Sequence, residues 1–167
     1  MTTQKNIILD AIQIEQKVKR IAYQIYENNS NEKEIILAGI AKNGYVFANK
    51  IGAFLKDISP IKVTMCEVYI DKKNLLLPIT TSITSETYTN KSLVLIDDVL
   101  NSGGTLIYAI KHFLEVPLKR FKTAVLVNRN HKKYPVKADF KGISLSTTLQ
   151  EHVAVDFSND DAIAYLV

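Results

Sequence analysis

The residues best suited to chemistry stand together in Leu93-Val94-Leu95-Ile96-Asp97-Asp98-Val99-Leu100-Asn101-Ser102-Gly103-Gly104-Thr105. An apolar run ends in two carboxylates and passes through a glycine-rich turn into a helix-like segment. In open α/β sheets ligands bind beyond the carboxyl ends of the strands, where Asp97 and Asp98 fall. The turn from Asn101 to Thr105 offers backbone N–H groups, two small hydroxyls and two glycines at a helix start, a combination that favours an anion. A carboxylate pair just upstream repels a naked phosphate, but it accepts hydrogen bonds from a sugar diol or faces a metal-bound pyrophosphate. A ribose 5-phosphate with free 2- and 3-hydroxyls satisfies both halves. No Lys follows the second glycine and the spacing is not G-x-G-x-x-G, so neither a Walker loop nor a dinucleotide fingerprint is present. The plainer alternatives are a tight turn with incidentally exposed acids, and a Ser102 that only caps a helix.

These residues need a sheet to carry them. Ile14, Val18, Ile21 and Ile25 line one face of a first helix, with Asp10 as its N-cap and Asn28 to Asn31 ending it. Glu34 to Ile40 reads as a strand, Ala41 to Gly44 as a tight loop and Tyr45 to Leu55 as a helix. Ile61 to Ile70 and Ser92 to Ile96 are further strands, Thr105 to Leu114 a helix, and Phe121 to Val127 a strand. Their near-continuous apolar content suits parallel strands covered on both faces. The alternation predicts a single α/β domain over residues 1–167: a mostly parallel twisted sheet flanked by helices, with its core at about 8–128. From about 129 to 167 the chain turns irregular and basic, with short strands near Ile143 and Val153, and forms a small hood over the sheet's C-terminal edge.

With 167 residues the chain suits one domain, which can bury about 70% of its unfolded surface. A composition of 47% hydrophobic and 23% charged residues excludes a disordered or low-complexity chain. One cysteine, Cys66, without any Cys/His cluster, leaves neither a disulfide framework nor a zinc site and suits a reducing compartment. The N-terminal segment lacks a cleavable leader pattern and no run is long and apolar enough to span a bilayer, so a cytoplasmic protein is expected. A net charge of +4 suits an anionic ligand.

The Asp97 to Thr105 pattern resembles the phosphoribosyl pyrophosphate signature of type I phosphoribosyltransferases. Val127 to Gly142 narrows the likeness: Arg129, His131, Pro135, Ala138, Asp139 and Gly142 stand where the pyrimidine operon attenuation regulators, which double as uracil phosphoribosyltransferases, carry Asp-Arg-Gly-His-Arg-Glu-Leu-Pro-Ile-Arg-Ala-Asp-Tyr-Val-Gly. The first helix and the Gly39 to Gly44 loop extend it over nearly the whole chain.

The resemblance implies transfer of ribose 5-phosphate from phosphoribosyl pyrophosphate to a base, most closely uracil, in a homo-oligomer, with Mg²⁺ arriving on the substrate. It assigns the ribose and the Mg²⁺ shell to Asp97 and Asp98, and the 5-phosphate to Asn101, Ser102, Gly103, Gly104 and Thr105. Pyrophosphate falls to Ala41, Lys42 and Asn43, in a loop where the family often has a strained peptide, and to Lys72 and Lys73. The base falls to Tyr134, Pro135, Val136, Asp139 and Phe140. RNA contact, carried in the family partly by the first helix, falls to Lys19 and Arg20.

The departures are specific. The family's Lys-Thr-Arg is here Ala41-Lys42-Asn43, Ile70 and Gly104 each replace an arginine, and Tyr23 replaces a histidine. Asn101 stands where purine-specific relatives carry an aspartate, which disfavours a purine. Two other functions stay open: a nucleotide-sensing regulator with weak or no catalysis, favoured by the lost arginines at Asn43 and Ile70, and an RNA-binding protein using the basic helix, favoured by Lys17, Lys19 and Arg20.

Overall fold

A computed structural model describes residues 4–148 and 150–167. Strand β1 (Asn6–Leu9) leads into helix α1 (Ala11–Asn28), which starts as expected at Asp10. The Gln13 N–H donates to the Asp10 carboxylate at 2.8 Å, and the Asp10 N–H donates to Gln13 Oε1 at 3.0 Å, closing a capping box. Ile14, Val18, Ile21, Ala22 and Ile25 form the buried stripe of α1. Its end is fixed by Asn29, whose amide donates to the Ile25 carbonyl while its Oδ1 accepts from Ser92 Oγ.

Then follow β2 (Glu34–Ile40), α2 (Asn43–Ile58), β3 (Lys62–Tyr69), β4 (Thr80–Thr81), α3 (Ser85–Tyr88), β5 (Ser92–Leu100), α4 (Gly104–Phe113), β6 (Arg120–Arg129), β7 (Phe140–Leu145), β8 (Val153–Asp156) and β9 (Ile163–Leu166). The main sheet has six strands in the order β4-β3-β2-β5-β6-β7, all parallel except β4. A second sheet, β1-β9-β8, is antiparallel. The chain runs outward from β2 to β3 on one side and from β5 to β7 on the other. The switch point therefore lies between β2 and β5, and a crevice opens there at their carboxyl ends.

Alternation along the central strands feeds two cores. Ile35, Leu37, Val94 and Ile96 pack with α1 and α2, while Ile36, Ala38, Leu93 and Leu95 pack with Phe113 and Leu106 of α4. Each such burial is worth about 1.5–3 kcal/mol before the entropy of ordering is counted. Cys66 sits in the second core, where burial pushes its thiol up to about 11.

Three boundaries differ from expectation. β5 runs on to Leu100, so Asp97 and Asp98 lie inside a strand whose every residue is buried. β7 pairs parallel with β6, so residues 140–145 belong to the main sheet rather than to the hood. The hood's own sheet recruits β1 from the chain's start, because β9 pairs with β1 on one edge and with β8 on the other.

Candidate active site

Beyond β5 the chain folds Asn101, Ser102, Gly103, Gly104 and Thr105 around a cavity of about 70 Å³, which Asp97, Val99, Leu100, Lys72, Leu106 and Val125 complete. Gly103 caps α4 at φ 88°, a left-handed conformation that a side chain disfavours. The Gly104 N–H donates to Ser102 Oγ at 3.2 Å, while the N-cap position of α4 is Gly103 and carries no side-chain cap. The Ser102 carbonyl accepts from the Lys133 and Tyr134 N–H groups at 2.8 and 3.0 Å, which staples the 130s segment to the turn.

The two acids part company, because consecutive strand residues face opposite sides of a sheet. Asp97 lines the cavity and is 3% exposed. Its Oδ1 accepts from the Asp98 N–H at 2.9 Å and lies 3.7 Å from Lys72 Nζ. Burial, and then the neighbouring Asp98 charge, push the Asp97 carboxyl well above the usual carboxylate range, while Lys72 opposes them. Asp98 looks the other way. Its Oδ2 accepts from Asn43 Nδ2 at 3.1 Å, and the same amide donates to the Val155 carbonyl of β8 at 2.9 Å.

Asn43 thereby joins the start of α2 to Asp98 of β5 and to β8, and Lys42 beside it is an exposed cation. The Ala41–Lys42 peptide is cis, and the Ala41 N–H donates to the Val68 carbonyl. A Cβ at Gly39 would come within 2.5 Å of Tyr45 Cα, so the loop closes tightly because residue 39 is glycine. On the opposite wall, the segment from Asp71 carries Lys72 to Asp97 and lays Leu75 over Gly104, while the Lys73 side chain is exposed.

The base-site residues divide. Tyr134 and Val136 reach the turn: a Cβ on Gly103 would meet Val136 Cγ1, and one on Gly104 would meet the Tyr134 ring. Pro135 lies exposed between them. Asp139 and Phe140 do not reach it. Phe140 begins β7 opposite Ala124, low on the sheet, and packs into the first core. The Asp139 carboxylate accepts from the Thr123 N–H at 2.9 Å, a tie that orders the β6–β7 crossover. The RNA residues are also engaged. Arg20 Nη2 donates to the Lys141 and Gly142 carbonyls, each at 2.6 Å, and Lys19 pairs with Glu15 at 3.3 Å.

Two residues given no role from the sequence belong to this end of the sheet. Arg129 is 7% exposed and donates to Asn101, Thr147, Thr148 and Glu151. Asn128 is 4% exposed, and its Oδ1 has no hydrogen-bond partner among the described residues. The signal for both was present: two polar side chains ending an otherwise apolar strand.

The model of the phosphoribosyl transferase domain matches residues 4–161. The chain belongs to the phosphoribosyltransferase family. Within it, the bifunctional protein PyrR of Streptococcus agalactiae is 31% identical over 159 residues, covering 92% of this chain and 91% of that protein. Among solved structures, a hypoxanthine-guanine phosphoribosyltransferase from Bacillus anthracis superposes with a TM-score of 0.79 at 21% identity, over 98% of each chain. The hypoxanthine phosphoribosyltransferase of Trypanosoma cruzi superposes at 0.78 and 16% identity, over 95% of each chain. At these identities the likeness shows the shared fold. Among the described residues no helix is long and apolar enough to cross a membrane.

Proposed function

We propose that this phosphoribosyltransferase moves ribose 5-phosphate from phosphoribosyl pyrophosphate to uracil, releasing pyrophosphate. The observation that carries the reading is the juxtaposition of a glycine turn at a helix N-terminus with the buried carboxylate of Asp97 and the ammonium of Lys72 around one cavity. The turn's amides suit the 5-phosphate and Asp97 suits a ribose hydroxyl. Lys72 and Lys42 stand where the departing pyrophosphate needs cations. The anomeric C–O bond breaks, a bond from the anomeric carbon to uracil N1 forms, and the N1 proton is released. Charge develops at the anomeric carbon, so positioning and electrostatics suffice and no covalent nucleophile is required.

Among the described residues no three metal-binding side chains cluster, which fits a metal that arrives with its substrate and keeps its waters. Asp97 is then the residue that would face it from the protein side. When bound, Mg²⁺ neutralises charge on the pyrophosphate.

The test is pyrophosphate release from phosphoribosyl pyrophosphate and Mg²⁺ with each free base in turn. Uracil should be the preferred acceptor, and release with no base at all would overturn the reading. A second reading, a nucleotide-sensing regulator with little catalysis, is favoured by Asn43, whose amide is spent on Asp98 and Val155 rather than facing a leaving group. That reading predicts nucleotide binding without turnover. Association of copies is read from the sedimentation coefficient.

A further inference from the structure

The glycine turn has a back as well as a front. Its front lines the cavity, whose wall takes nothing from residues 133–136 among those described. Its back carries that segment. The Lys133 and Tyr134 N–H groups both donate to the Ser102 carbonyl, at 2.8 and 3.0 Å, so both lone pairs of that oxygen are used. Val136 Cγ1 and Tyr134 Cβ lie 2.4 and 3.6 Å from where a Cβ on Gly103 would stand, so the segment also packs against the Gly103 α-carbon.

These contacts decide which way one peptide unit faces. The Ser102–Gly103 unit is planar and trans, so its C=O and N–H point in opposite directions. With the carbonyl held by the segment behind, the Gly103 N–H points away from that segment, to the cavity side. Gly103, at φ 88° and ψ −1°, has the dihedrals of the third residue in a type II turn. Turning the unit over gives about −90° and 0°, those of a type I turn that most residues adopt, with little change in the path of the chain. The overturned unit would aim a carbonyl at an incoming phosphate and leave the Gly103 N–H facing two other donors. Glycine permits the observed orientation, and residues 133 and 134 enforce it. This unit matters all the more because the next N–H, that of Gly104, already donates to Ser102 Oγ at 3.2 Å.

We infer that Lys133 and Tyr134, through their backbone N–H groups, hold the Ser102–Gly103 peptide with its N–H towards the phosphate, so that the 133–136 segment braces the phosphate cradle from behind. Both are positioning residues. The inference rests on the phosphate site of the transferase reading and adds what keeps that site in shape before the ligand arrives. An amide already turned to the anion needs no reorganisation on binding, and the N-terminus of α4 adds its own attraction. Because the brace acts through main-chain atoms, it survives changes of the Lys133 side chain, whereas displacing the segment as a whole loosens the cradle.

The test replaces single peptide bonds of the full-length protein by esters, which removes one N–H and no side chain. One ester stands at Tyr134. A control stands at Leu114, whose N–H closes the far end of α4 on the Ile110 carbonyl at 3.0 Å. Ser-Gly occurs once in the chain, so serine labelled with ¹³C at its carbonyl and glycine labelled with ¹⁵N give one NMR signal for the peptide unit in question. In the parent, the Gly103 N–H should move downfield as ribose 5-phosphate saturates the protein. With the Tyr134 ester, that movement should shrink and ribose 5-phosphate affinity should fall roughly 2- to 12-fold, the worth of one hydrogen bond. The Leu114 ester should leave both as in the parent. A staple that served only stability would lower Tm in both esters and leave the Gly103 signal and the affinity unmoved. The inference is overturned if bound ribose 5-phosphate does not move the Gly103 N–H, if the Tyr134 ester stays within twofold of the parent, or if the two esters weaken binding alike. Each of those results leaves the transferase reading standing, whereas parent protein that binds no ribose 5-phosphate overturns both.

Discussion

The Lys72 ammonium lies 3.7 Å from Asp97 Oδ1, joining a half-exposed cation on the segment after β3 to a buried acid on β5. Both residues line the cavity beside the glycine turn, so on the proposed reading one lysine serves the acid assigned to the ribose and the pyrophosphate as well. Lys72 cannot serve Asp97 and a pyrophosphate equally, and a bound pyrophosphate should draw it away. A charge-assisted contact is worth about 1.5–3 kcal/mol, or roughly 10- to 150-fold in affinity. Lys72→Met should weaken pyrophosphate binding within that range while shifting UMP affinity less than threefold, as read by calorimetry. Equal losses for the two ligands would show that Lys72 acts only by holding Asp97.

Asp97 carries a pH signature of its own. Its carboxyl is raised by burial and by Asp98, so the folded chain holds a proton there more tightly than the unfolded chain, whose value is near 3.8. Stability from this group is therefore greatest below that value, and is lost as pH rises from about 4 towards the raised folded pKa. Asp97→Asn keeps the Oδ1 acceptor for the Asp98 N–H and removes the charge. The ligand-free variant should melt higher than the parent at neutral pH, with a gap that widens as pH rises from 4, while kcat/KM falls more than tenfold. A gap independent of pH would mean that the buried carboxylate costs nothing.

Arg20 is a structural tie in this fold. Its Nη2 holds the Lys141 and Gly142 carbonyls at the start of β7, which anchors α1 to the edge of the main sheet. Arg20→Ala leaves two acceptors unpaired at a cost of about 1–3 kcal/mol, which for a chain of this size lowers Tm by roughly 2–12 °C. The salt dependence of any RNA binding should be unchanged. An unmoved Tm with a flatter salt slope would instead return Arg20 to phosphate contact.

Much of the site was legible because its information is local. An apolar run, two glycines and a following amphipathic segment specify strand, turn and helix within Leu93 to Phe113, and the turn is where the pattern puts it. The divergence of the acids was not read from the sequence, which ended the strand at Ile96 and gave both acids one role; it follows from β5 running on to Leu100, so that Asp97 and Asp98 alternate across the sheet. Contacts between distant segments were not legible either. Arg129 and Asn101 are 28 residues apart, and nothing in either segment announces the other. Arg20 and Lys141 are separated by 121 positions, so a basic residue on α1 looked free until the fold brought a pair of carbonyls to it. β1 has four residues, too few for any period to declare itself, and finds its place only by pairing with β9.

Gly103 offers the most direct test of the phosphate cradle. Its φ of 88° costs a residue with a side chain about 1–2 kcal/mol, and a Cβ there would lie 2.4 Å from Val136 Cγ1. The two penalties are separable, because Gly103→Ala meets both whereas Gly103→Ala combined with Val136→Ala meets only the backbone one. Both penalties can be relieved by moving the turn, and moving the turn disorganises the amides of Gly103, Gly104 and Thr105. Gly103→Ala should therefore weaken ribose 5-phosphate more than tenfold, with a smaller fall in Tm than a core truncation of 2–5 kcal/mol would give. The double variant should recover stability more fully than affinity, since the φ constraint remains. Ribose 5-phosphate binding by Gly103→Ala at the parent's affinity would mean that the phosphate sits elsewhere, because a side chain at that position strains the φ of 88° and runs into Val136 Cγ1 unless the turn moves.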